Sequence, residues 1–336
     1  MDNIITMAHG SGGSATLALI DNIFKKYFNN EILSAGDDSA KLDIGNSKNI
    51  VFTTDSFVVT PIFFKGGNIG KLAVCGTVND IVTSGATPLY LSCGFIIEEG
   101  FSMEELEKIV ESMSTTAKEC GVKIVTGDTK VVQKGAVDKI FINTSGIGVL
   151  PEGINISGRN AKAGDKIIIS GTIGDHGSCI LLERENMGFQ AEIPSDCAPM
   201  SEIVKAMLNL TTDIHVLRDP TRGGVATTLN EIAVQSNVTI RIDEEKLPVR
   251  REVQGVCELL GMDPLFMANE GKLLIFVPGN AAEKVLETVR KSKYGANAEI
   301  IGEVLNEGEA KVTLKAISGG TRIIKLLTGD QLPRIC

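Results

Sequence analysis

Five aspartates in the sequence share one setting: each stands at the end of an apolar run, beside Gly, Ser or Thr. They are Asp38 in GDDSA, Asp55 in FTTDS, Asp80 in TVNDI, Asp128 in VTGDTK and Asp219 in RDPTRGG. Carboxylates favour hard cations, and Mg²⁺ in particular takes oxygen ligands and bridges one or two carboxylates to nucleotide phosphates. A lone aspartate in such a setting is as well explained by a helix cap or an Asx turn. It is the recurrence that favours the metal.

Asp80 belongs to a helix expected over 69–84. On a helical wheel Leu72, Val74, Cys75, Val78, Ile81 and Val82 fall on one side, and Gly76, Thr77, Asn79, Asp80, Thr83 and Ser84 on the other. A solvated face usually carries Lys and Glu. This one carries small polar groups and a single acid, as expected of a face turned to a polar site or a subunit contact. The loop HGSGG, with Gly10, Ser11, Gly12 and Gly13, has the composition to wrap anionic oxygens with backbone N–H groups, or to serve as a flexible link. It also fits the dinucleotide pattern GxGxxA, but no clear strand follows that ends in an acid about 20 residues on. KGGNIGKL at 65–72 lacks the first glycine and the Ser or Thr of a P-loop. The last residue is Cys336, a thiol at the end of the unpatterned stretch TGDQLPRIC. The thirteen residues from Ile324 could reach about 40 Å if extended, enough to carry a covalent group between sites.

The elements that must position these groups alternate in type. Helices are expected at 14–28, 69–84, 102–120, 175–187, 199–210, 223–236 and 280–292. Strands are expected at 50–59, 88–97, 122–126, 139–149, in KIIIS, and at 238–242 and 272–277. The chain is therefore α/β or α+β. Its 336 residues suit two domains, with the boundary in the Gly-rich polar segment 151–165: an N-terminal domain over 1–155, a C-terminal domain over 156–323 and a tail over 324–336. A net charge of −9 argues against a general nucleic-acid binder. No apolar run approaches the length of a membrane span. The seven cysteines show no CxxC spacing, which argues against a disulfide framework or zinc ribbon and for a reducing cytoplasm.

HGSGG, GDDSA, TTDSFVVTPIFF, KLAVCGTVNDIVTSGATPLYLS, VTGDTKVV, RDPTRGGVATTLNEIA, ANEGKL and the terminal PRIC occur in that order. Together they resemble the HypE family of hydrogenase maturation carbamoyl dehydratases, in the superfamily of aminoimidazole ribonucleotide synthetase and selenophosphate synthetase. The resemblance covers nearly the whole chain. Ser39, where the superfamily usually has Ala, is the one small departure. A selenophosphate synthetase would carry its reactive Cys near the N-terminal glycine loop, where this chain has His9. A non-catalytic thiol carrier would have no need of five aspartates.

The resemblance implies a synthetase-like fold. The N-terminal domain would form a β-barrel with its copy in a homodimer, the C-terminal domain would be an α/β layer, and ATP with Mg²⁺ would lie between the domains. A carbamoyltransferase of the HypF type would load Cys336. The enzyme would dehydrate that S-carbamoyl group to a thiocyanate, and the cyano group would pass to the iron scaffold of HypC and HypD. Asp38, Asp55, Asp80, Asp128 and Asp219 are then assigned to Mg–ATP, with Asn79 beside Asp80 and Gly10 to Gly13 over the phosphates. Lys130, after the GDT turn, would hold a phosphate or polarise the carbamoyl oxygen. Glu270, between Asn269 and Gly271, is the candidate base, and Cys336 carries the substrate.

Overall fold

The computed structural model describes residues 4–10, 14–34, 44–45, 49–185, 192–306 and 309–326. The N-terminal half is built on β1 (Ile50–Phe57), α1 (Ile69–Thr83), β2 (Thr87–Glu98), α2 (Met103–Cys120), β3 (Lys123–Val132) and β4 (Ile140–Val149). Local chemistry sets the helix ends. The Asn68 side chain accepts the N–H groups of Gly70 and Lys71 at the start of α1. Ser102 accepts the Glu105 N–H, and Gly121, left-handed at φ 71°, closes α2.

The four strands pair in the order β1-β4-β2-β3, antiparallel except for β2 with β3. α1 lies across β1, β4 and β2, and α2 packs on α1 and β3. Among the described residues, no helix lies on the opposite face of the sheet. It exposes Ile50, Phe52 and Ile96, with Phe52 65% accessible.

The C-terminal half contains β5 (Asp165–Ile169), α3 (Asp175–Glu185), α4 (Ser201–Leu210), β6 (Val216–Arg218), α5 (Gly224–Ser236), β7 (Thr239–Asp243), α6 (Arg251–Leu260), β8 (Leu274–Pro278), α7 (Ala282–Arg290), β9 (Glu299–Leu305), β10 (Lys311–Lys315) and β11 (Thr321–Ile324). Its sheet runs β11-β10-β7-β9-β5-β8-β6, and only β10 with β7 is parallel. Strand alternation divides the core. Ile167, Ile169, Leu274 and Phe276 pack towards α5, while Ile168, Ile275 and Val277 join α7 and α4. That second cluster continues through Ile203, Val204 and Met207 into α1, so one apolar core spans both halves. Among the described residues, no helix is long and apolar enough to cross a membrane.

The expected two-part α/β organisation is present, with differences in detail. The strand expected at 122–126 runs on to Val132, so GDT is mid-strand and not a turn. Gly127 is needed there because a Cβ would lie 2.4 Å from the Cys93 carbonyl oxygen, where a register shift brings the parallel neighbour close. The helix α6 and the strands β6, β9, β10 and β11 lie outside the elements expected from sequence. β11 also takes in Ile324, placed in the tail by sequence. Among the described residues of one chain the N-terminal sheet is open, with β1 and β3 at its edges.

Candidate active site between the two halves

β1 turns Val51, Thr53, Asp55 and Phe57 inward against α1, as its alternating exposure shows. Gly76 of α1 makes their approach possible. A Cβ on Gly76 would meet the Phe57 ring at 2.8 Å and Asp55 Oδ2 at 3.5 Å, so the glycine is where the Asp55 carboxylate settles. Asp80 stands one helical turn further along and accepts the Thr53 hydroxyl proton at 2.8 Å. Asp219 follows β6 directly, and the cleft between these elements, about 470 Å³, is lined by Thr53, Asp80, Thr83, Arg218, Asp219 and Arg222, among others.

The electrostatics are those of acids forced together. Burial and the neighbouring Asp80 push Asp219 up to about 7, with Asp55 adding to the shift and Arg218 opposing it. Burial also raises Asp55 and Asp80. Glu270, 4% exposed, is raised well above the carboxylate range by burial, then by Cys197, Asp196, Asp219 and Asp55. Arg218 is occupied by Glu231 at 2.6 Å.

A bound cation would relieve this repulsion. Among the described residues no three carboxylate, His or Cys side chains converge at ligating distance. That donor set does not form a closed protein cage. It fits Mg²⁺, which keeps several waters and takes one or two carboxylates together with substrate phosphates.

The structure separates the residues assigned from sequence. Asp55, Asp80, Asp219 and Glu270 come together. Asn79 lies beside them but not as a cleft ligand: it is 2% exposed, its amide donates to Ala198 O and Glu270 O, and its oxygen accepts the Met200 N–H. Asp128 and Lys130 sit on β3, at the far edge of the sheet from β1. Both are exposed, and they face each other at 3.7 Å. The turn Met7–Gly10 packs beside β3, so Gly10 belongs to that edge too. Ser11, Gly12, Gly13, Asp38 and Cys336 lie outside the described residues.

Thr53, Arg218 and Arg222 are site residues that the sequence reading passed over, although all three stand in the quoted motifs FTTDS and RDPTRGG. Asp196 and Lys272, which hold the Glu270 segment, stand 76 residues apart with no shared motif.

The fold and site define a class. Residues 36–150 match the N-terminal domain of the AIR synthase related proteins, and residues 162–315 match their C-terminal domain. Within that class the resemblance is close. The carbamoyl dehydratase HypE of Escherichia coli (strain K12) is 48% identical over 338 residues, covering 99% of this chain and all of the relative. A crystal structure of the hydrogenase maturation protein HypE in complex with ATP superposes with a TM-score of 0.95 at 48% identity, covering 98% of this chain and 99% of that one. A crystal structure of a HypE–HypF complex matches at 0.81 and 54% identity, over 92% and 100%. The chain belongs to the HypE family.

Proposed function

We propose that this protein is an ATP-dependent carbamoyl dehydratase that acts on its own C-terminal thiol. The net reaction converts Cys336 S–C(=O)NH₂ and ATP into Cys336 S–C≡N, ADP and phosphate. The amide oxygen leaves in the phosphate and two N–H protons are released. One observation carries the reading: Asp80 and Asp219 line one cleft, with Asp55 and Glu270 close enough to raise Asp219 or be raised by it, in a chain similar over its full length to an ATP-bound HypE.

ATP supplies the phosphoryl group that makes a poor leaving group a good one. The chain's own residues do the rest. Asp55, Asp80 and Asp219, with Asp38, would supply the one or two carboxylates that hold each Mg²⁺ against the phosphates. Arg222 lines the cleft and its positive charge offsets that of Asp55. Burial raises the proton affinity of Glu270, so that in its ionised form it would accept a carbamoyl N–H proton more readily than an ordinary carboxylate. Twelve residues follow Ile324 and span at most about 40 Å. The sheet separates β11 from β6 by six strand spacings, about 29 Å, a span shorter than the extended tail.

A second copy is part of the proposal. The open outer face with Phe52 and Ile96, and the edge strands β1 and β3, are what a barrel-forming homodimer would cover. Such pairing would also bring Asp128, Lys130 and Gly10 of one edge towards the carboxylates of the other. The supply side is a HypF-type carbamoyltransferase. The receiving side is a HypC–HypD iron scaffold, which would take the cyano group for [NiFe]-hydrogenase maturation in the cytoplasm.

The test is coupling. Phosphate release should be strong only when a carbamoyl donor system loads the tail, and Cys336→Ser should abolish that stimulation. Donor-independent ATP turnover, equal in both proteins, would instead mark a synthetase acting on a free small molecule.

A further inference from the structure

Glu270 is fixed from an unexpected direction. The segment 192–200 passes between α1 and the Glu270 loop. It is tied on one side by Ser195 N–H to Lys65 O at 2.8 Å and by Met200 N–H to Asn79 Oδ1 at 2.8 Å. Within it, the Asp196 side chain is 1% exposed and that of Lys272 is 9% exposed, at 3.0 Å. Asp196 uses both oxygens on one short stretch: Oδ1 accepts the Glu270 N–H at 3.1 Å and Oδ2 accepts Lys272 Nζ. Gly271, between them, lies so close to this segment that a Cβ would stand 2.0 Å from Asp196 O and 2.8 Å from Ala198 N. The three residues 270–272 are thus clamped against 196–198 by a carboxylate, an ammonium and a glycine.

A buried ion pair of this kind is a poor way to gain stability, because desolvating two charges offsets most of their attraction. Two apolar side chains would fold the segment as well. What they would not do is accept the Glu270 N–H and fix where its side chain starts. We propose that Asp196, with Lys272 as its counter-ion, is a positioning residue for Glu270 in the dehydration. The proposal rests on the reading of Glu270 as the proton acceptor. Positioning matters because a shift of about 1 Å at a reacting group costs about a hundredfold in rate.

Two double variants separate position from stability. D196L/K272M replaces the pair by apolar side chains of similar size. D196N/K272M is also neutral, but keeps an oxygen to accept the Glu270 N–H. The measurements are thermal melting, ATP affinity by calorimetry, and the single-turnover rate at which the S-carbamoyl tail loses water, read by mass spectrometry. Both variants should melt near the wild type and bind ATP within about threefold of it. D196L/K272M should dehydrate at least about tenfold more slowly, and D196N/K272M should recover most of that loss. If both run at the wild-type rate, or both are slowed alike, Asp196 does not position Glu270. If neither folds, the pair is structural and the proposal falls. The control is Glu270→Gln. A wild-type rate there overturns the reading of Glu270 and this proposal with it, whereas a dead Glu270→Gln beside a fully active D196L/K272M overturns this proposal alone.

Discussion

Thr53 on β1 donates a hydrogen bond from its hydroxyl to Asp80 Oδ2 on α1 at 2.8 Å, and that bond, with the charge of Arg218, opposes the burial that raises Asp80. It favours the charged form of Asp80 against that burial. Thr53→Val preserves shape and removes the donor. Mg–ATP affinity should fall by up to about tenfold, measured by calorimetry at neutral pH, with the melting temperature little changed. Unchanged affinity would mean that the bond does not prepare Asp80 for a cation.

Asp219 is the member of the group most strongly pushed towards protonation among the three aspartates of the cleft. Asp219→Asn removes one of three repelling acids with little change of shape. The variant should melt no lower than the wild type without ligand, yet bind Mg–ATP at least about tenfold more weakly. A variant that loses stability and keeps its affinity would place Asp219 in the fold's support and not in the metal set.

Much of this cluster is legible in the sequence. The small-polar face of α1 announces that Asp80 looks at something other than solvent, and RDPTRGG flags Asp219 by its company. The structure adds what that polar face touches: Thr77 meets Thr144, and Asn79 ties α1 to the Ala198 and Glu270 segments. Asp128 was misread locally because a glycine beside an aspartate looks like a turn, whereas Gly127 is there to clear the Cys93 carbonyl. The Asp196–Lys272 clamp was out of reach, since its partners meet only through the tertiary fold. α6 did carry a pattern, with Val253, Val256 and Cys257 buried on one side, but Gly255 in mid-helix weakens its signal.

Acid should expose the Asp196 clamp. Although burial alone would raise this carboxyl, Lys272 and His176 hold it below its ordinary value. A carboxylate whose folded pKa lies below the unfolded one contributes its full stability above about pH 4 and loses it as pH falls through the folded value. The urea midpoint of the wild type should therefore exceed that of Asp196→Asn at pH 7, and the gap should close below about pH 4. A gap independent of pH would mean that shape, and not charge, accounts for the difference.

The bare outer face of the N-terminal sheet makes its own demand. Phe52 is 65% exposed there, on the strand that ends the sheet among the described residues. Sedimentation of the wild type at micromolar concentration should give a dimer, and Phe52→Glu should shift it to monomer without unfolding it, because the side chain contributes little to the core of one chain. A wild type that sediments as a monomer would remove the second copy from the account.

The central claim, that the cleft dehydrates a carbamoyl group carried on the tail, is tested most directly by the mass of the C-terminal peptide. The protein is incubated with the carbamoyl donor system, first without and then with Mg–ATP. The peptide ending in Cys336 should gain one carbamoyl group, then lose the mass of one water only when Mg–ATP is present. Asp219→Asn should stop at the carbamoyl stage, and Cys336→Ser should gain nothing. A carbamoyl adduct that maps to Cys75 or Cys257, or a tail that loses water without ATP, would contradict it.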